Sequence, residues 1–339
     1  MKNQASPHQQ KAAQRVSPKY TVFGLGQAGT RMIDYIAGSM PVGGHGLQFI
    51  AIDNDKAALE KTGIPNTIYV ECPMSEKVID PDIGKLAIQA VHPQINQWLI
   101  GTEIVFIVTG MGGSFGAAAA TAIADIARTL NIMTVAMVAM PFYLEDSQHL
   151  AHSIQAATTL SHHVDTLVTL PNDRLITPVG LDIPLLEAFS ADPEMLVQAV
   201  GNIINRLTCS TSSLGELPDI KRGLRGLGHS TLGLGMACGE HRAREAVEMA
   251  LVSPLLGGAA TLTINDVIIQ ITAGYSLTLQ ELETIAAAIR HTLPNNMPYT
   301  LGTVLDPMMD DPLYIIIFFK GLGSSNNPPV PALSRANSD

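Results

Sequence analysis

The fold of this chain is decided by the stretch from Ile104 to Leu130, IVFIVTGMGGSFGAAAATAIADIARTL. Residues 104–109 are mostly apolar and rich in β-branched side chains, which is typical of a buried strand. Glycines then occupy positions 110, 112, 113 and 116. From residue 117 to 130, strong helix formers dominate and apolar residues recur at helical spacing. The stretch therefore predicts a strand, a glycine-rich turn and a helix in direct succession.

This order of elements is typical of a phosphate-binding turn. A glycine turn between a strand and a helix directs backbone N–H groups and the positive end of the helix toward an anion. Glycine suits the turn because a Cβ would obstruct the phosphate and would disfavour positive φ angles. A tight turn that binds nothing also favours glycine. Both interpretations stay open on this motif, which names no ligand by itself.

Composition favours a folded α/β protein. The chain has 339 residues, 46% of them hydrophobic, with 29 glycines and few aromatic side chains, which is enough for two domains with full cores. Neither a transmembrane run nor a secretory signal is found. The net charge of −10 argues against nucleic-acid binding. Three isolated cysteines suit a reducing cytoplasm, and neither they nor the histidines have the spacing of a metal site.

Alternating strand and helix patterns predict a doubly wound parallel sheet between residues 20 and 184. We expect strands at 20–25, 47–52, 67–70, 104–109, 133–140 and 165–170, and helices at 30–39, 83–99, 117–130 and 147–162. The strands are almost continuously apolar, which indicates that helices cover both faces of the sheet.

A long helical pattern over residues 185–207 predicts a central helix that leads into a smaller α+β domain at 208–322. In that domain we expect strands at 232–239 and 266–272, helices at 242–252 and 279–292, and a closing strand pair formed by 299–305 and 313–319. Residues 1–19 and 323–339 are polar and are predicted to be disordered tails.

Six segments resemble, in order, those of FtsZ, the bacterial tubulin-like cell-division GTPase. They are Gly24 to Gly29, Phe49 to Leu59, Gly110 to Pro141, His163 to Leu175, Ser253 to Leu256 and Gln270 to Thr284. The resemblance implies a tubulin/FtsZ-like fold with a nucleotide-binding domain, a central helix and a C-terminal domain. It also implies GTP or GDP as ligand, with Mg²⁺ possible beside it. A head-to-tail homopolymer in the bacterial cytoplasm is implied as well, in which each subunit completes the next subunit's site.

Carried over by position, the resemblance implies particular nucleotide contacts. Two groups of backbone amides would meet the phosphates, and single side chains would meet the ribose and the base. The resemblance gives Phe189 a role in stacking on the base, but on the helical pattern it also fits a position in the hydrophobic core. Both roles, stacking and core packing, stay open for Phe189. The implied phosphate contacts are Gly26, Gln27 and Ala28, then Gly112, Gly113, Ser114, Phe115 and Gly116; Glu145 would contact the ribose, Asn172 the guanine, Phe189 would stack on the base, and Asp53 and Asn54 lie in the second loop.

The chain departs from the FtsZ pattern around the γ-phosphate. The family's loop reads GGGTGTG, and here residues 112–118 read GGSFGAA, so Phe115 and Ala117 replace two hydroxyl donors. Each hydroxyl bond to a charged group contributes about 1.5–3 kcal/mol. The third loop, at 74–79, has no glycine, and His149 replaces an arginine. These changes predict weak, altered or absent binding and hydrolysis of GTP.

The acidic loop that would act on the neighbouring subunit reads LGELPD at 214–219. Glu216 and Asp219 keep two carboxylates that can orient or activate water. Asp219 is equally suited to cap a following helix, so the structural interpretation also stays open. Residues 330–335, VPALSR, are weakly similar to the peptide by which FtsZ binds membrane-tethering division proteins, which implies such a partner or another FtsZ.

Three hypotheses for function result. The altered loops favour a filament protein of this fold that binds nucleotide weakly or not at all. The retained loops and the two carboxylates favour an active GTPase of cell division. A third hypothesis, an NAD-dependent oxidoreductase, is based on Gly24, Gly26 and Gly29 after a strand, with Asp53 further on. The second and denser glycine loop at 110–116 is not expected in such an enzyme.

Overall fold

The computed structural model describes residues 20–39, 46–72, 81–142, 147–171, 200–201, 203–204, 208, 224–256, 263–293, 297–306 and 309–322. The strands in these residues are β1 (Tyr20–Leu25), β2 (Leu47–Asp53), β3 (Asn66–Tyr69), β4 (Ile104–Gly110), β5 (Met133–Met140), β6 (Thr166–Pro171), β7 (Gly228–Ala237), β8 (Thr263–Ala273), β9 (Tyr299–Leu305) and β10 (Leu313–Leu322). The helices are α1 (Gly26–Ser39), α2 (Lys56–Lys61), α3 (Pro81–Ala90), α4 (His92–Leu99), α5 (Ser114–Thr129), α6 (Ser147–Ser161), α7 (Arg242–Leu251) and α8 (Leu279–Thr292).

The first six strands form a parallel sheet in the order β3-β2-β1-β4-β5-β6. On one face, apolar side chains of the sheet pack with α1 through residues such as Ile33 and Ile36. On the other face they pack with α3, α4 and α5, through residues such as Ile88 and Ile95. Helices cover both faces, which explains why β1 and β4 are apolar and buried along nearly their whole length. The predicted doubly wound parallel sheet is confirmed.

The C-terminal strands extend the same sheet in the order β7-β10-β8-β9. β7 is parallel to β6, β10 is antiparallel to both β7 and β8, and β9 is parallel to β8. The prediction that 299–305 and 313–319 pair with each other is therefore wrong. Residues 313–319 are almost all buried, whereas most of β9 is only half-buried, so the more apolar strand takes the interior position and β9 lies at the edge.

Several helix boundaries differ from the prediction. The helix expected over 83–99 is two helices, α3 and α4, separated at Val91, because Pro93 in the first turn of α4 favours a helix start there. α1 and α5 begin at Gly26 and Ser114 rather than at 30 and 117. Glycine is tolerated in these first turns because its entropic cost applies mainly to a helix interior, and glycine is accepted at helix starts.

Part of the predicted central helix lies within the described residues. Positions 200, 201, 203, 204 and 208 are helical. Val200, Ile203 and Ile204 are fully buried in the core that also contains the apolar side of α1. The remainder of the 185–207 prediction, and the tails 1–19 and 323–339, lie outside the described residues. Among the helices that the structure describes, none has the length and apolar character that crossing a membrane requires.

One buried arginine, at the start of α7, bonds to two connecting segments and to the first turn of α8 at one end of the C-terminal strands. Arg242, whose side chain is 6% exposed, donates from Nε to Oε1 of Glu281 at 2.6 Å. Its two terminal nitrogens donate to the carbonyl of Asp311 at 2.5 Å and to the hydroxyl of Ser276 at 3.2 Å. Glu281 also completes a capping box with Thr278 at the start of α8. The hydrogen bond from Arg242 lowers the pKa of Glu281 below its ordinary value.

Candidate functional site

The first turns of α1 and α5 meet at the carboxyl edge of the parallel sheet. β1 and β4 are neighbours, with Leu25 opposite Thr109, and each strand ends close to the start of the helix that follows it. A Cβ at Gly26 would lie 3.5 Å from the Cα and N atoms of Gly116. Helix N-termini carry partial positive charge and N–H groups without partners within the helix. Two of them in contact therefore form a site suited to an anion.

The glycines of this region allow that contact. Gly26 has a φ of +65°, a left-handed conformation that disfavours other residues. A Cβ at Gly29 would lie 2.3 Å from the carbonyl oxygen of Val108, and one at Gly116 would lie 2.3 Å from Oγ1 of Thr109. Larger side chains would thus push the helices away from the strands. The glycine spacing in the sequence is explained by this packing.

The N-cap residue of α5 offers the first turn no side-chain hydrogen bond. This residue is Gly113, in extended backbone, and the first turn contains no acidic residue. A Cβ at Gly113 would meet no atom of the described residues within 4 Å. Asp55 caps α2 and Thr278 caps α8, whereas the N-cap residues of α4 and α7, like that of α5, form no side-chain cap bond. The space in front of Gly113 is therefore where an anionic ligand can take the role of the cap.

Helix α6 holds the glycine turn from one side. The hydroxyl of Ser153 donates to the carbonyl of Met111 at 2.9 Å, and Nε2 of His149 donates to the carbonyl of Gly112 at 2.5 Å. This second bond requires the tautomer that carries a proton on Nε2. In a trans peptide the C=O of one residue and the N–H of the next point in opposite directions. The two bonds therefore turn the N–H groups of Gly112 and Gly113 away from α6.

Phe115 does not fill the space in front of the turn. Its side chain is only 5% exposed and belongs to the core cluster that includes Leu25 and Met111. Its Cδ1 atom would lie 3.9 Å from a Cβ at Gly26. The added bulk is thus buried beneath the turn. Ala117 is also buried, so the turn keeps its shape while the two hydroxyl donors of the family pattern are missing.

Asp53 adds a buried carboxylate at the end of β2, beside β1. Its Oδ1 accepts from the backbone N–H of Asp55 at 3.2 Å. Its Oδ2 makes no hydrogen bond with the residues that the structure describes, although Asp53 is 2% exposed. Burial raises the pKa of Asp53 above its ordinary value, and the neighbouring Asp55 carboxylate adds to the rise. A hydroxyl donor or a cation would satisfy this oxygen.

The structure brings together only part of the predicted contact set. Gln27 and Ala28 are exposed in the first turn of α1, and Asn54 is half-buried beside Asp53. Five further predicted residues, Glu145, Asn172, Phe189, Glu216 and Asp219, lie outside the described residues, so their roles stay predictions. Among the residues of the described stretches, no group of three or more His, Cys, Asp or Glu could hold a metal ion.

Sequence reasoning missed two polar residues that support the site. Thr109 donates from Oγ1 to the carbonyl of Leu25 at 3.0 Å, which links the ends of β4 and β1. Ser153 binds the glycine turn from α6. Neither belongs to the glycine motif. The sequence signals only Thr109, a polar residue that ends an apolar run, whereas Ser153 lies in a mixed polar and apolar segment.

Comparison with known proteins defines the class to which this fold and site belong. The family model described as Tubulin/FtsZ family, GTPase domain, matches residues 19–179, and the FtsZ family, C-terminal domain, matches residues 228–323. The empty FtsZ dimer of M. jannaschii aligns with a TM-score of 0.75 and 28% identity, covering 92% of this chain and 90% of that one. CetZ2 from Haloferax volcanii, at 16% identity and a TM-score of 0.69, shares the fold. The fold is that of the tubulin superfamily.

Sequence relatives narrow the assignment. The chain is 32% identical over 321 residues to the cell division protein FtsZ of Wigglesworthia glossinidia brevipalpis, covering 94% of this chain and 83% of that protein. It is 34% identical over 305 residues to FtsZ of Buchnera aphidicola subsp. Schizaphis graminum, covering 89% and 79%. The chain belongs to the FtsZ family. These matches support the FtsZ-type interpretation of Gly24 to Gly29 over the dinucleotide-binding one.

Proposed function

We propose that this chain is a filament-forming FtsZ-type protein of the bacterial cytoplasm that binds the phosphates of a guanine nucleotide between the first turns of α1 and α5. The observation that carries the proposal is the contact of Gly26 with Gly116, together with the open space in front of Gly113. FtsZ relatives are named for cell division, and one solved relative is an FtsZ dimer. They support a homopolymer as the working form.

We further propose that the γ-phosphate is held less firmly here than in the family pattern. Phe115 and Ala117 supply no hydroxyl, and each lost bond would cost about 1.5–3 kcal/mol. The backbone amides and the helix ends remain, so GTP and GDP should bind with similar affinity. The alternative, an active GTPase that hydrolyses GTP at the subunit interface, is supported by the intact glycine turns and by the sequence positions of Glu216 and Asp219.

Asp53 is the described residue that fits a Mg²⁺ ion bound together with the nucleotide. Mg²⁺ is usually held by one or two carboxylates and by substrate phosphates rather than by an all-protein ligand set. Oδ2 of Asp53, which has no hydrogen-bond partner among the described residues, suits that arrangement. When bound, the ion would neutralise phosphate charge. We propose the predicted boundaries as the functional division: nucleotide domain 20–184, central helix 185–207 and C-terminal domain 208–322.

Electron microscopy and sedimentation of the purified chain with GTP, with GDP and without nucleotide test the proposed function. We expect filaments to form to a similar extent with GTP and GDP, and phosphate release from GTP close to background. Filaments that form only with GTP and release phosphate steadily would favour the active GTPase instead. Particles that never associate longitudinally under any condition would refute the filament assignment. Binding of a partner through residues 330–335, outside the described residues, stays a prediction.

Asp53→Asn is expected to stabilise the nucleotide-free protein near neutral pH. The pKa of Asp53 is raised above its ordinary 3.8 by burial. The folded state therefore holds the proton of Asp53 more tightly than the unfolded chain does. The free energy of unfolding falls as the pH rises from the pKa of the unfolded chain through the raised pKa of the folded protein. A neutral amide removes this cost, with a gain of about 1 kcal/mol in the free energy of unfolding. Thermal denaturation of the wild type and of Asp53→Asn near neutral pH measures this gain in stability. The gain should shrink near pH 4.

The same substitution is expected to weaken the Mg²⁺-dependent part of nucleotide binding. Asp55→Asn is the matched control, because Asp55 is exposed and its Oδ1 only caps α2, accepting from Ala57 at 2.9 Å. Calorimetric titration of each variant with GDP, with and without Mg²⁺, compares the two. If Mg²⁺ changes the affinity for GDP equally in the wild type and in Asp53→Asn, Asp53 does not bind the ion.

A further inference from the structure

We propose that the hydroxyl of Thr30 acts together with the carboxylate of Asp53 as a second protein ligand for the hydrated Mg²⁺ ion that binds with the nucleotide. The inference rests on the proposed function, because it concerns the same ion and the same phosphates. Thr30 comes directly after the first glycine segment and belongs to neither glycine turn.

The hydroxyl of Thr30 differs from those of the other threonines in the described helices. Its Oγ1 has no hydrogen-bond partner among the described residues, although Thr30 is only 3% exposed. A threonine hydroxyl in a helix can bond to the carbonyl three or four residues earlier. The threonines that do so are Thr121, Thr129, Thr158, Thr159, Thr208, Thr284 and Thr292. Because a buried hydroxyl without a partner destabilises the folded state, this exception indicates a role in binding.

Thr30 lies on the side of α1 that faces β2 and α2. On the opposite side, a Cβ at Gly29 would lie 2.3 Å from the carbonyl oxygen of Val108 in β4. Oδ1 of Asp34 accepts from the backbone N–H of Gly63, just after α2, at 2.8 Å. Thr30 precedes Asp34 by four residues, so the two share one side of the helix.

Asp53 lies beside the start of α1. Leu25 pairs with Ile52 in neighbouring strands, so Gly26 and Asp53 follow next to each other at the carboxyl edge. Thr30 is one helical turn, about 6 Å along the axis, beyond Gly26. Oδ2 of Asp53 also has no hydrogen-bond partner among the described residues. A buried hydroxyl and a buried carboxylate are thus placed in one corner, between α1 and the end of β2, next to the proposed phosphate site.

This pair of oxygens suits Mg²⁺ better than it suits a phosphate. A carboxylate repels a phosphate, whereas Mg²⁺ takes oxygen ligands and is usually held by one or two carboxylates together with substrate phosphates. The P-loop shows that a serine or threonine hydroxyl can complete such a site. Mg²⁺ also keeps several of its waters, so the hydroxyl of Thr30 can bind either the ion or one of those waters. Thr30 thereby adds a hydroxyl to a site in which Phe115 and Ala117 supply none.

Calorimetric titration with GDP, once in Mg²⁺ and once in a chelator, tests the inference in four proteins. They are the wild type, Thr30→Val, Thr30→Ser and Thr121→Val. Valine keeps the shape of threonine without the hydroxyl, whereas serine keeps the hydroxyl. Thr121→Val is the matched control, because Thr121 is a buried threonine of α5 whose hydroxyl donates to the carbonyl of Ala117 at 3.3 Å.

In Mg²⁺ we expect Thr30→Val to bind GDP about tenfold more weakly than the wild type, because an interaction with a charged group is lost. In the chelator the two should bind equally. Thr30→Ser should stay within about twofold of the wild type, and Thr121→Val should match the wild type in both conditions. Thr30→Val should also raise the midpoint of thermal unfolding of the nucleotide-free protein, whereas Thr121→Val should not.

The two ligands should act as a unit. In an Asp53→Asn background, Thr30→Val should reduce the affinity for GDP in Mg²⁺ by clearly less than in the wild-type background. The same factor in both backgrounds would contradict a shared ion.

Three results would overturn the inference and leave the proposed function standing. They are an unchanged affinity of Thr30→Val in Mg²⁺, an equal loss of affinity in Mg²⁺ and in the chelator, and a wild type whose affinity does not respond to Mg²⁺. No binding of GDP to the wild type in either condition would instead refute the proposed function.

A second measurement needs no variant. Mn²⁺ takes oxygen ligands in the same octahedral geometry as Mg²⁺, and its unpaired electrons broaden the NMR signals of nearby nuclei. With GDP present, Mn²⁺ should broaden the methyl signal of Thr30 more strongly than that of Thr121, which lies about two helical turns from the start of α5. Broadening of Thr121 that equals or exceeds that of Thr30 would also overturn the inference.

Discussion

Replacement of Gly113 by aspartate is expected to stabilise the protein and to abolish nucleotide binding at the same time. Gly113 is the N-cap of α5, with φ −99° and ψ 138°, which aspartate adopts readily. A Cβ at this position meets no atom within 4 Å among the residues that the structure describes. The new carboxylate would accept first-turn N–H groups and interact favourably with the helix end, which together contribute about 0.5–1 kcal/mol. The melting temperature should therefore rise.

The same carboxylate would occupy the place proposed for the phosphates. It would take their hydrogen bonds and repel their charge, and affinity for GDP should fall by about a hundredfold or more. Gly113→Asn controls for size and capping, and should lose less affinity because it is neutral. Gly38→Asp controls for net charge, because Gly38 lies at the other end of α1 in open space. An aspartate at 113 that leaves GDP affinity unchanged would place the ligand elsewhere.

Arg242→Ala is expected to be the most destabilising of these substitutions. The arginine side chain is 6% exposed and satisfies Glu281, Ser276 and the carbonyl of Asp311. Removing it leaves Glu281, whose side chain is 17% exposed, without its ion-pair partner. Breaking one side of a buried ion pair costs about 3–5 kcal/mol. Urea denaturation should show that loss in the free energy of unfolding.

Arg244→Ala, on the same helix, is the matched control. Its ion pair with Glu248 has the similar distance of 2.7 Å, but the side chains are 73% and 57% exposed. Exposed pairs of this kind contribute little to stability because solvent screens them. Equal losses from the two arginine substitutions would contradict the assignment of Arg242 as the residue that links α7 to the start of α8 and to the two connecting segments beside it.

The contribution of Arg242 should also depend on pH. Its hydrogen bond lowers the pKa of Glu281 below the ordinary value of 4.5. The stabilisation by the ion pair of Arg242 and Glu281 is therefore fully present above the ordinary pKa of Glu281. It is lost as the pH falls through the lowered pKa of the folded protein. The difference in stability between the wild type and Arg242→Ala should accordingly narrow on acidification.

The parallel sheet and its two glycine turns could be predicted because their signals are local. Continuous apolar runs indicate buried strands, and the glycines mark the points where helix and strand backbones approach, as at Gly29 and Gly116. The predicted starts of α1 and α5 lie three or four residues after the observed ones, because helix propensity counts glycine against a helix even in the first turn, where it costs little.

Other features depend on packing between distant segments. The sequence pattern of 313–319 predicts a strand but not that it lies between β7 and β8, since several strands could offer it a neighbour. The bonds from His149 and Ser153 to the glycine turn join residues 37 and 42 positions apart, and no periodicity encodes them. Phe115 is inward-facing because the core has room for it beneath Gly26, which is a property of the assembled helices and strands.

Glycine-selective ¹⁵N labelling tests the central claim most directly, because the proposed ligand contacts are glycine amides. The amide signals of Gly26, Gly112, Gly113 and Gly116 can be assigned by single substitutions and followed during titration with GDP. We expect these four signals to shift most, at a common binding midpoint, while those of remote glycines such as Gly226 and Gly239 remain in place. Saturable binding of GDP that leaves all four signals unmoved would contradict a phosphate site between α1 and α5.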